Sequence, residues 1–169
     1  EYSDGIIRGV DFETNLFELL ALEKSTNLIL GSSFVSRFQK DNNPKFNLPQ
    51  NVGVYGLRSN LISGNFNYYL EYVHKYNDPA GSIADNSNNY ATGNAIKTSL
   101  TYFQKGLGFS FDAHRVDNME FRSERQQSRE YIINYIPTLS KQHSYTLLAF
   151  YPCATQSNGE IGFQSDLYY

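Results

Sequence analysis

The hydrophobic pattern of this chain alternates with a period of two over most of its length. From 107 to 115 the residues are Leu, Gly, Phe, Ser, Phe, Asp, Ala, His and Arg, so nearly every second position is apolar. Successive side chains of a β-strand point to opposite faces, so this alternation predicts a strand with one apolar and one polar face. Weaker versions of the pattern recur along the chain and predict about ten strands. These are 5–12, 15–24, 27–38, 51–62, 65–76, 95–104, 107–115, 129–136, 143–151 and 161–169.

Only one stretch favours a helix by composition. Residues 16–22 read Leu-Phe-Glu-Leu-Leu-Ala-Leu, which is rich in good helix formers. A helix here would be short and weakly amphipathic, and it would lie between two strand-like runs. We therefore predict strand over this stretch, and an all-β chain with a single domain from 1 to 169.

The connections between the predicted strands alternate between short and long. Ser25-Thr26, Ser63-Gly64 and Lys105-Gly106 are tight, whereas 39–50, 77–94 and 117–128 are long and polar. Alternate connections of an antiparallel up-and-down meander lie at opposite ends of the sheet. Short turns at one end and long loops at the other are typical of outer-membrane β-barrels. We therefore predict an outer-membrane β-barrel or part of one, with both 77–94 and 117–128 at the end opposite the tight turns.

Strand length favours the same fold class. The clearest segments run to about nine to twelve residues, close to the 9–11 that a tilted strand needs to cross a bilayer. In such a barrel one face of each strand meets lipid and the other a polar lumen. The residues predicted to face lipid are Phe66, Leu70, Leu107, Phe109 and Phe111. The polar residues predicted to face the lumen are Ser110, Asp112 and His114.

Several strings resemble a family of Gram-negative outer-membrane β-barrel proteins that has no assigned activity. They are KGLGFSFDAHRVDNMEFRS at 105–123, NYIPTLSKQHSY at 134–145, YPCATQSNGE at 151–160 and NVGVYGLR at 51–58. The resemblance covers roughly residues 50 to 169. It implies a location in the outer membrane and a barrel fold. It also implies that the complete protein is longer and that this chain is a piece of a larger barrel.

Composition and charge exclude other classes. The net charge is −3, which argues against a nucleic-acid partner held by a basic field. A single cysteine excludes an internal disulfide and a cysteine-based zinc site. The three histidines, His74, His114 and His143, fall on separate strands without metal-site spacing. We predict no cofactor and no metal, and the polar run at 85–89 is interpreted as a loop tip rather than a calcium site.

Two groups of residues are candidates for catalysis or ligand binding. Asp112 and His114 lie two apart on one polar face and would serve as an acid–base pair in a barrel-embedded hydrolase. In the predicted loop 115–130, four arginines including Arg115 lie among carboxylates, which predicts either a solvated, mutually neutralising cluster or an external loop that contacts lipopolysaccharide phosphates. The external loop charges are Arg122, Arg125 and Arg129.

Three functions remain as hypotheses. The first is a non-enzymatic pore, transport or structural role at the cell surface, with outer-membrane lipid as partner, lipopolysaccharide as a further ligand, and no predictable protein partner. The second is a soluble secreted β-sandwich that binds carbohydrate, since the chain has fourteen Tyr and twelve Phe. The third is the hydrolase built on Asp112 and His114. The sandwich would bury its apolar faces against a second sheet, whereas the barrel would leave them outside.

Overall fold

The structure, a computed structural model, describes residues 5–21, 25–40, 49–76, 78, 92–123, 132–134 and 156–169. These residues form one antiparallel sheet of seven strands, in which every strand pairs with its neighbours in sequence. The elements are β1 (Ile6–Asn15), α1 (Leu16–Leu19), β2 (Thr26–Phe38), β3 (Asn51–Ser63), β4 (Phe66–Lys75), β5 (Gly93–Gln104), β6 (Leu107–Asp117) and β7 (Gly159–Tyr168). In these ranges no helix has the length and apolar character needed to span a membrane.

The prediction of an all-β, up-and-down antiparallel meander is confirmed, but the predicted count of ten strands is wrong. The described part of the chain holds seven strands in one open sheet, and closure into a barrel is not established. Of the predicted strand 129–136 only 132–134 are described, and there Ile132 forms an isolated bridge with Arg122. The predicted strand 143–151 lies outside the described residues.

The predicted strand at 15–24 is a further error, because the chain turns into α1 at this point; the last three residues of the prediction, 22–24, lie outside the described residues. Asn15 caps the helix, and its side-chain oxygen accepts a hydrogen bond from the Phe17 N–H at 3.2 Å. Asparagine is a favoured N-cap because it satisfies an otherwise unpaired backbone donor. The helix propensity of the leucine-rich stretch, set aside in the prediction, therefore decides the structure over one turn.

Two tight turns and the long connections lie at opposite ends of the sheet. Ser63 pairs with Phe66 across Gly64-Asn65, one residue later than predicted, and Gln104 pairs with Leu107 across Lys105-Gly106. Gly64 and Gly106 have φ of 55° and 82°, a region that residues with a Cβ rarely adopt. We call this end the turn end. The chain leaves β2, β4 and β6 at the other end, which we call the long-connection end, as predicted.

Register gives the sheet two chemically different faces. The apolar face carries Val10, Phe12, Leu28, Leu30, Phe34, Tyr55, Leu57, Leu61, Phe66, Tyr68, Leu70, Tyr72, Ile96, Leu100, Tyr102, Leu107, Phe109, Phe111, Ile161, Phe163 and Leu167. The polar face carries every charged residue of the strands except Arg8, Arg115 and Asp117. Those three lie on the apolar face toward the long-connection end. Alternation within each strand and matched register between strands together separate the charges from the apolar surface.

The buried hydrophobic core lies on the polar face, at the long-connection end. Its members in the described ranges are Val52, Val116, Met119 and Phe121. Val52 and Val116 belong to strands, whereas Met119 and Phe121 belong to the segment that follows β6. That segment therefore folds back over the sheet on the side opposite the large apolar surface.

Candidate functional site

The residues predicted to face lipid share the apolar face, and those predicted to face a lumen share the polar face. Phe66, Leu70, Leu107, Phe109 and Phe111 are on the former. Phe66 is 52% exposed, while Phe109 and Phe111, expected to be exposed, are half-buried by neighbouring strands. Ser110, Asp112 and His114 lie on the polar face. Whether the two faces meet lipid and a lumen stays a prediction.

The apolar face exposes large hydrophobic side chains, most strongly on the outer strands. Phe12 of β1 is 62% exposed, and Phe163 of β7 is 78% exposed. Between Thr98 and the turn end this face carries no Asp, Glu, Lys or Arg in the seven strands. An exposed apolar surface of this extent is unusual for a monomeric soluble protein.

Aromatic side chains cluster at both ends of the apolar face. Toward the long-connection end, the ring centre of Tyr55 lies 5.3 Å from that of His74 and 5.8 Å from that of Tyr76. The ring centres of His74 and Tyr76 are 5.4 Å apart. At the turn end the rings of Phe66 and Tyr102 lie 4.5 Å apart. At about 3.3 Å per residue, Phe66 and Tyr76 are about 33 Å apart along the strand.

The aromatic cluster of Tyr55, His74 and Tyr76 also contains polar groups of the kind found at a membrane–water interface. The side-chain oxygen of Asn94 accepts a hydrogen bond from the Tyr72 hydroxyl at 2.9 Å and lies 2.6 Å from His74 Nδ1. Rings with an apolar body and a polar tip favour such boundaries. His74 thus belongs to an aromatic cluster. Within the described ranges no group of His, Cys, Asp and Glu is arranged to hold a metal ion.

Residues 118–123 cross the polar face at the long-connection end, and we call this segment the inner strap. Two cations of the polar face hold it by its backbone. Lys75 Nζ donates to the Glu120 carbonyl at 2.7 Å, and Arg37 Nη1 donates to the Arg122 carbonyl at 2.7 Å. Residues 132–134 lie against the strap, where the Ile133 N–H donates to the Phe121 carbonyl at 3.0 Å. The strap is therefore attached to the sheet wall by charged side chains and is part of the folded structure.

The strap encloses a set of buried charges that the sequence does not reveal. Arg37, Lys75 and Asp78 are 0% exposed, and Arg37 Nη2 forms an ion pair with Asp78 Oδ1 at 3.0 Å. The Arg37 guanidinium also lies 5.4 Å from the centre of the Phe121 ring. Arg37 and Lys75 end their strands on the polar face, where a sequence pattern predicts solvated charges. Only the return of the chain across them makes them buried anchors.

The environment of Arg122 differs from the one predicted. We expected a solvated or ligand-contacting loop charge, but the residue is 5% exposed and forms an ion pair with Glu120. Burial lowers the pKa of the Arg122 guanidinium, and the negative charge of Asp78 opposes that effect. Arg125 and Arg129 lie outside the described residues, as do His143 and 85–89.

His114 is bonded to a different carboxylate from the one predicted. Its Nε2 lies 2.9 Å from Glu160 Oε1, and the other oxygen of Glu160 accepts the Gln156 N–H at 2.7 Å. Asp112, two residues away on the same face, lies opposite Ser99 and Gln164 in the ladder. Glu160 was missed because only the pairing of β6 with β7 brings it beside His114. Asp112 and His114 share the polar face as predicted, but the hydrogen bond of His114 goes to Glu160, and the acid–base role stays a prediction.

The sequence matches, from residue 1 to residue 169, the profile of a family described as a family of unknown function, DUF6029. The chain belongs to the DUF6029 family. No curated protein matches it. No solved structure matches it either. The family description assigns neither activity nor location, so the function of this DUF6029 chain has to be argued from its own geometry.

Besides the buried charges under the inner strap and the His114–Glu160 pair, this DUF6029 chain has a charged cluster on the polar face of its first three strands. Arg58 donates from Nη1 and Nη2 to Asp11 at 2.8 and 2.9 Å, and from Nε to Glu13 at 3.1 Å. The guanidinium also donates to the Ser33 hydroxyl at 2.7 Å. The forked guanidinium of Arg58 thus links β3 to side chains of β1 and β2, and the two carboxylates that it binds remain exposed to water. The polar face is thus charged and exposed to water over this part, whereas its residues beneath the inner strap are buried.

Proposed function

We propose that this chain is part of the wall of a β-barrel in the outer membrane of a Gram-negative bacterium, with a non-enzymatic pore, transport or structural role at the cell surface. The observation that carries the proposal is the segregation of charge in the sheet. The polar face holds nearly all the charged residues, while the apolar face is uncharged from Thr98 to the turn end. Hydrocarbon outside and water inside impose this distribution on a barrel wall.

The depth of the apolar band supports a bilayer rather than a protein partner. With the tilt of about 40° that barrel strands have, the span from Phe66 to Tyr76 would cover about 25 Å of depth, close to the height of the outward apolar band of transmembrane barrels. Arg115 and Asp117 lie on this face in the part of the span nearest the long-connection end. Aromatic rings with polar tips border the band, as expected where headgroups meet acyl chains. A protein partner would impose no fixed depth and no aromatic border at both edges.

The connections support an orientation in the membrane. Barrels of this class have short periplasmic turns and long external loops. The turns at Gly64-Asn65 and Lys105-Gly106 would then face the periplasm, and the long-connection end would face the exterior. Lipopolysaccharide would be the lipid that meets the aromatic cluster around Tyr55.

Closure of the barrel is a further part of the proposal. β1 and β7 are the two edges of the open sheet, and they run in the same direction because seven strands alternate. An all-antiparallel barrel therefore requires an odd number of further strands between them. Unpaired edge groups are intolerable in hydrocarbon, so these additional strands have to pair with both edges in the membrane.

A matched pair of substitutions tests the proposal. Thr98 and Ser99 are adjacent hydroxyl residues of β5; Thr98 lies on the apolar face opposite Leu70, near mid-band, and Ser99 on the polar face opposite Asp112. We expect Thr98→Arg to lower the unfolding free energy in lipid bilayers by about 2–4 kcal/mol and Ser99→Arg to cost far less. The measurement is urea unfolding of both variants refolded into liposomes. Equal costs, or a wild-type chain that stays folded and monomeric without lipid or detergent, would contradict a membrane location.

The alternative functions have weaker support. A carbohydrate-binding sandwich would cover the apolar face with a second sheet about 10 Å away. The described strands form a single sheet, and the segment that covers it, the inner strap, lies on the polar face. The hydrolase hypothesis has no catalytic contact in its favour, since the hydrogen bond of His114 goes to Glu160.

A further inference from the structure

A cavity of about 220 Å³ lies between the polar face and the inner strap. The strands β3 to β6 form its floor, and the strap with Asn134 forms its roof. Its apolar lining consists of Val54, Val73, Ala95, Ile96, Val116, Met119 and Phe121. Its polar lining consists of Glu71, Lys97, His114 and Asn134.

The apolar lining lies on the face of the sheet that carries most of its charged residues. Val54, Val73 and Ala95 occupy polar-face positions on three successive strands, below Met119 and Phe121 of the strap. Met119 and Phe121 are each 4% exposed, but they leave the space above the strand valines unfilled. Protein interiors rarely leave voids larger than a water molecule, and an apolar cavity of about 150 Å³ is known to bind benzene.

One cation at the cavity has no partner in the described part of the chain. Lys97 is half-buried and forms no hydrogen bond or ion pair there, although Glu71 and His114 flank it in the ladder. His114 is held by Glu160, and Glu71 accepts the Tyr69 hydroxyl at 2.8 Å. The Lys97 ammonium therefore remains available to a ligand, and a hydrogen bond between charged groups is stronger than a neutral one.

We propose that this cavity binds a small apolar monocarboxylate, with its hydrocarbon part among the valines and its carboxylate on Lys97. The volume suits a single ring or a short branched chain, on the scale of the benzene-binding cavity above. Glu71 at the same rim disfavours a second negative charge on the ligand. The inference goes beyond the proposed function and does not depend on it, because the same cavity would exist in a sheet that is not in a membrane.

Calorimetric titration of the full folded chain with benzoate tests the proposal, with benzyl alcohol as an uncharged probe of the same size. We expect saturable binding of benzoate, at least about tenfold tighter than that of benzyl alcohol. Lys97→Met should remove this preference and leave benzyl alcohol binding unchanged. Lys105→Met, in the exposed turn, is the matched control and should bind like the wild type.

Two cavity-filling variants locate the site. Ala95→Leu and Val73→Phe both place side-chain volume in the cavity, and each should abolish binding of both probes. The two changes keep the result interpretable if one variant fails to fold, which circular dichroism reports. Absence of saturable benzoate binding, equal affinity for the two probes, or binding that survives a folded cavity-filling variant would overturn the proposal. The liposome test of Thr98→Arg concerns the opposite face, so the two proposals fail independently.

Discussion

Replacing Arg37 probes the buried cluster that attaches the inner strap to the sheet. The guanidinium is 0% exposed, donates to Asp78 at 3.0 Å and to the Arg122 carbonyl at 2.7 Å, and lies over the Phe121 ring. Arg37→Met keeps most of the side-chain volume and removes the charge. It leaves the Asp78 carboxylate buried without the donor of its ion pair, although the cations of Lys75 and Arg122 still lie near it.

The expected cost follows from these contacts. Breaking a buried ion pair by removing one partner typically costs about 3–5 kcal/mol, because the other charge remains desolvated. Removing both charges, as in Arg37→Met with Asp78→Leu, avoids that penalty. The double variant should then cost about 1–3 kcal/mol, mainly because the Arg122 carbonyl still loses its donor. The double variant should therefore be about 2 kcal/mol more stable than Arg37→Met alone, so that the costs of the two substitutions are coupled rather than additive.

Equilibrium urea unfolding of the two single variants and the double variant, in the medium in which the wild type folds, measures this coupling. Arg8→Met is the control, since Arg8 is exposed on the same sheet and its removal should change stability by less than about 0.5 kcal/mol. The reasoning would be refuted if Arg37→Met cost no more than Arg8→Met. It would also be refuted if the double variant were as unstable as the sum of the single variants.

Three further predictions concern a tight turn, the packing of the polar face and the orientation of the sheet in the membrane. Gly106→Val should cost about 1–2 kcal/mol in urea unfolding, because the residue has a φ of 82°. Gly31→Ala should cost about 1–2 kcal/mol in the same assay, because its Cβ would lie 2.5 Å from Arg58 Nε and displace the guanidinium from its carboxylates. In a cysteine-free background, an impermeant thiol reagent added to intact cells should label Asn158→Cys at the long-connection end and not Asn65→Cys at the turn end. Labelling of both sites, or of Asn65→Cys alone, would contradict the proposed orientation.

The alternation of apolar and polar residues by itself determined the strands and the composition of their faces. Phe109 and Phe111 alternate with Ser110 and Asp112 in the sequence, and a strand places such neighbours on opposite sides whatever it pairs with. Glycines in short connections likewise marked the tight turns, because positive φ is a local requirement. The meander followed from connection lengths, which are also local.

The prediction of secondary structure failed where two local signals in the sequence competed. In residues 16–22 the helix propensity of leucine and alanine opposed the strand-like surroundings, and the N-cap at Asn15 favoured α1. The predicted strand count was too high partly for this reason.

Only the tertiary structure decided which distant residues meet. His114 reaches Glu160 because β7 pairs with β6 in one register, and a shift of one residue would place Glu160 on the other face. Arg37 and Lys75 are buried because the inner strap returns across the polar face, which no period in the strands requires. Such contacts depend on pairing and chain return over long separations, so they carry no signature in a single sequence. The cavity between the strap and the sheet arises in the same way.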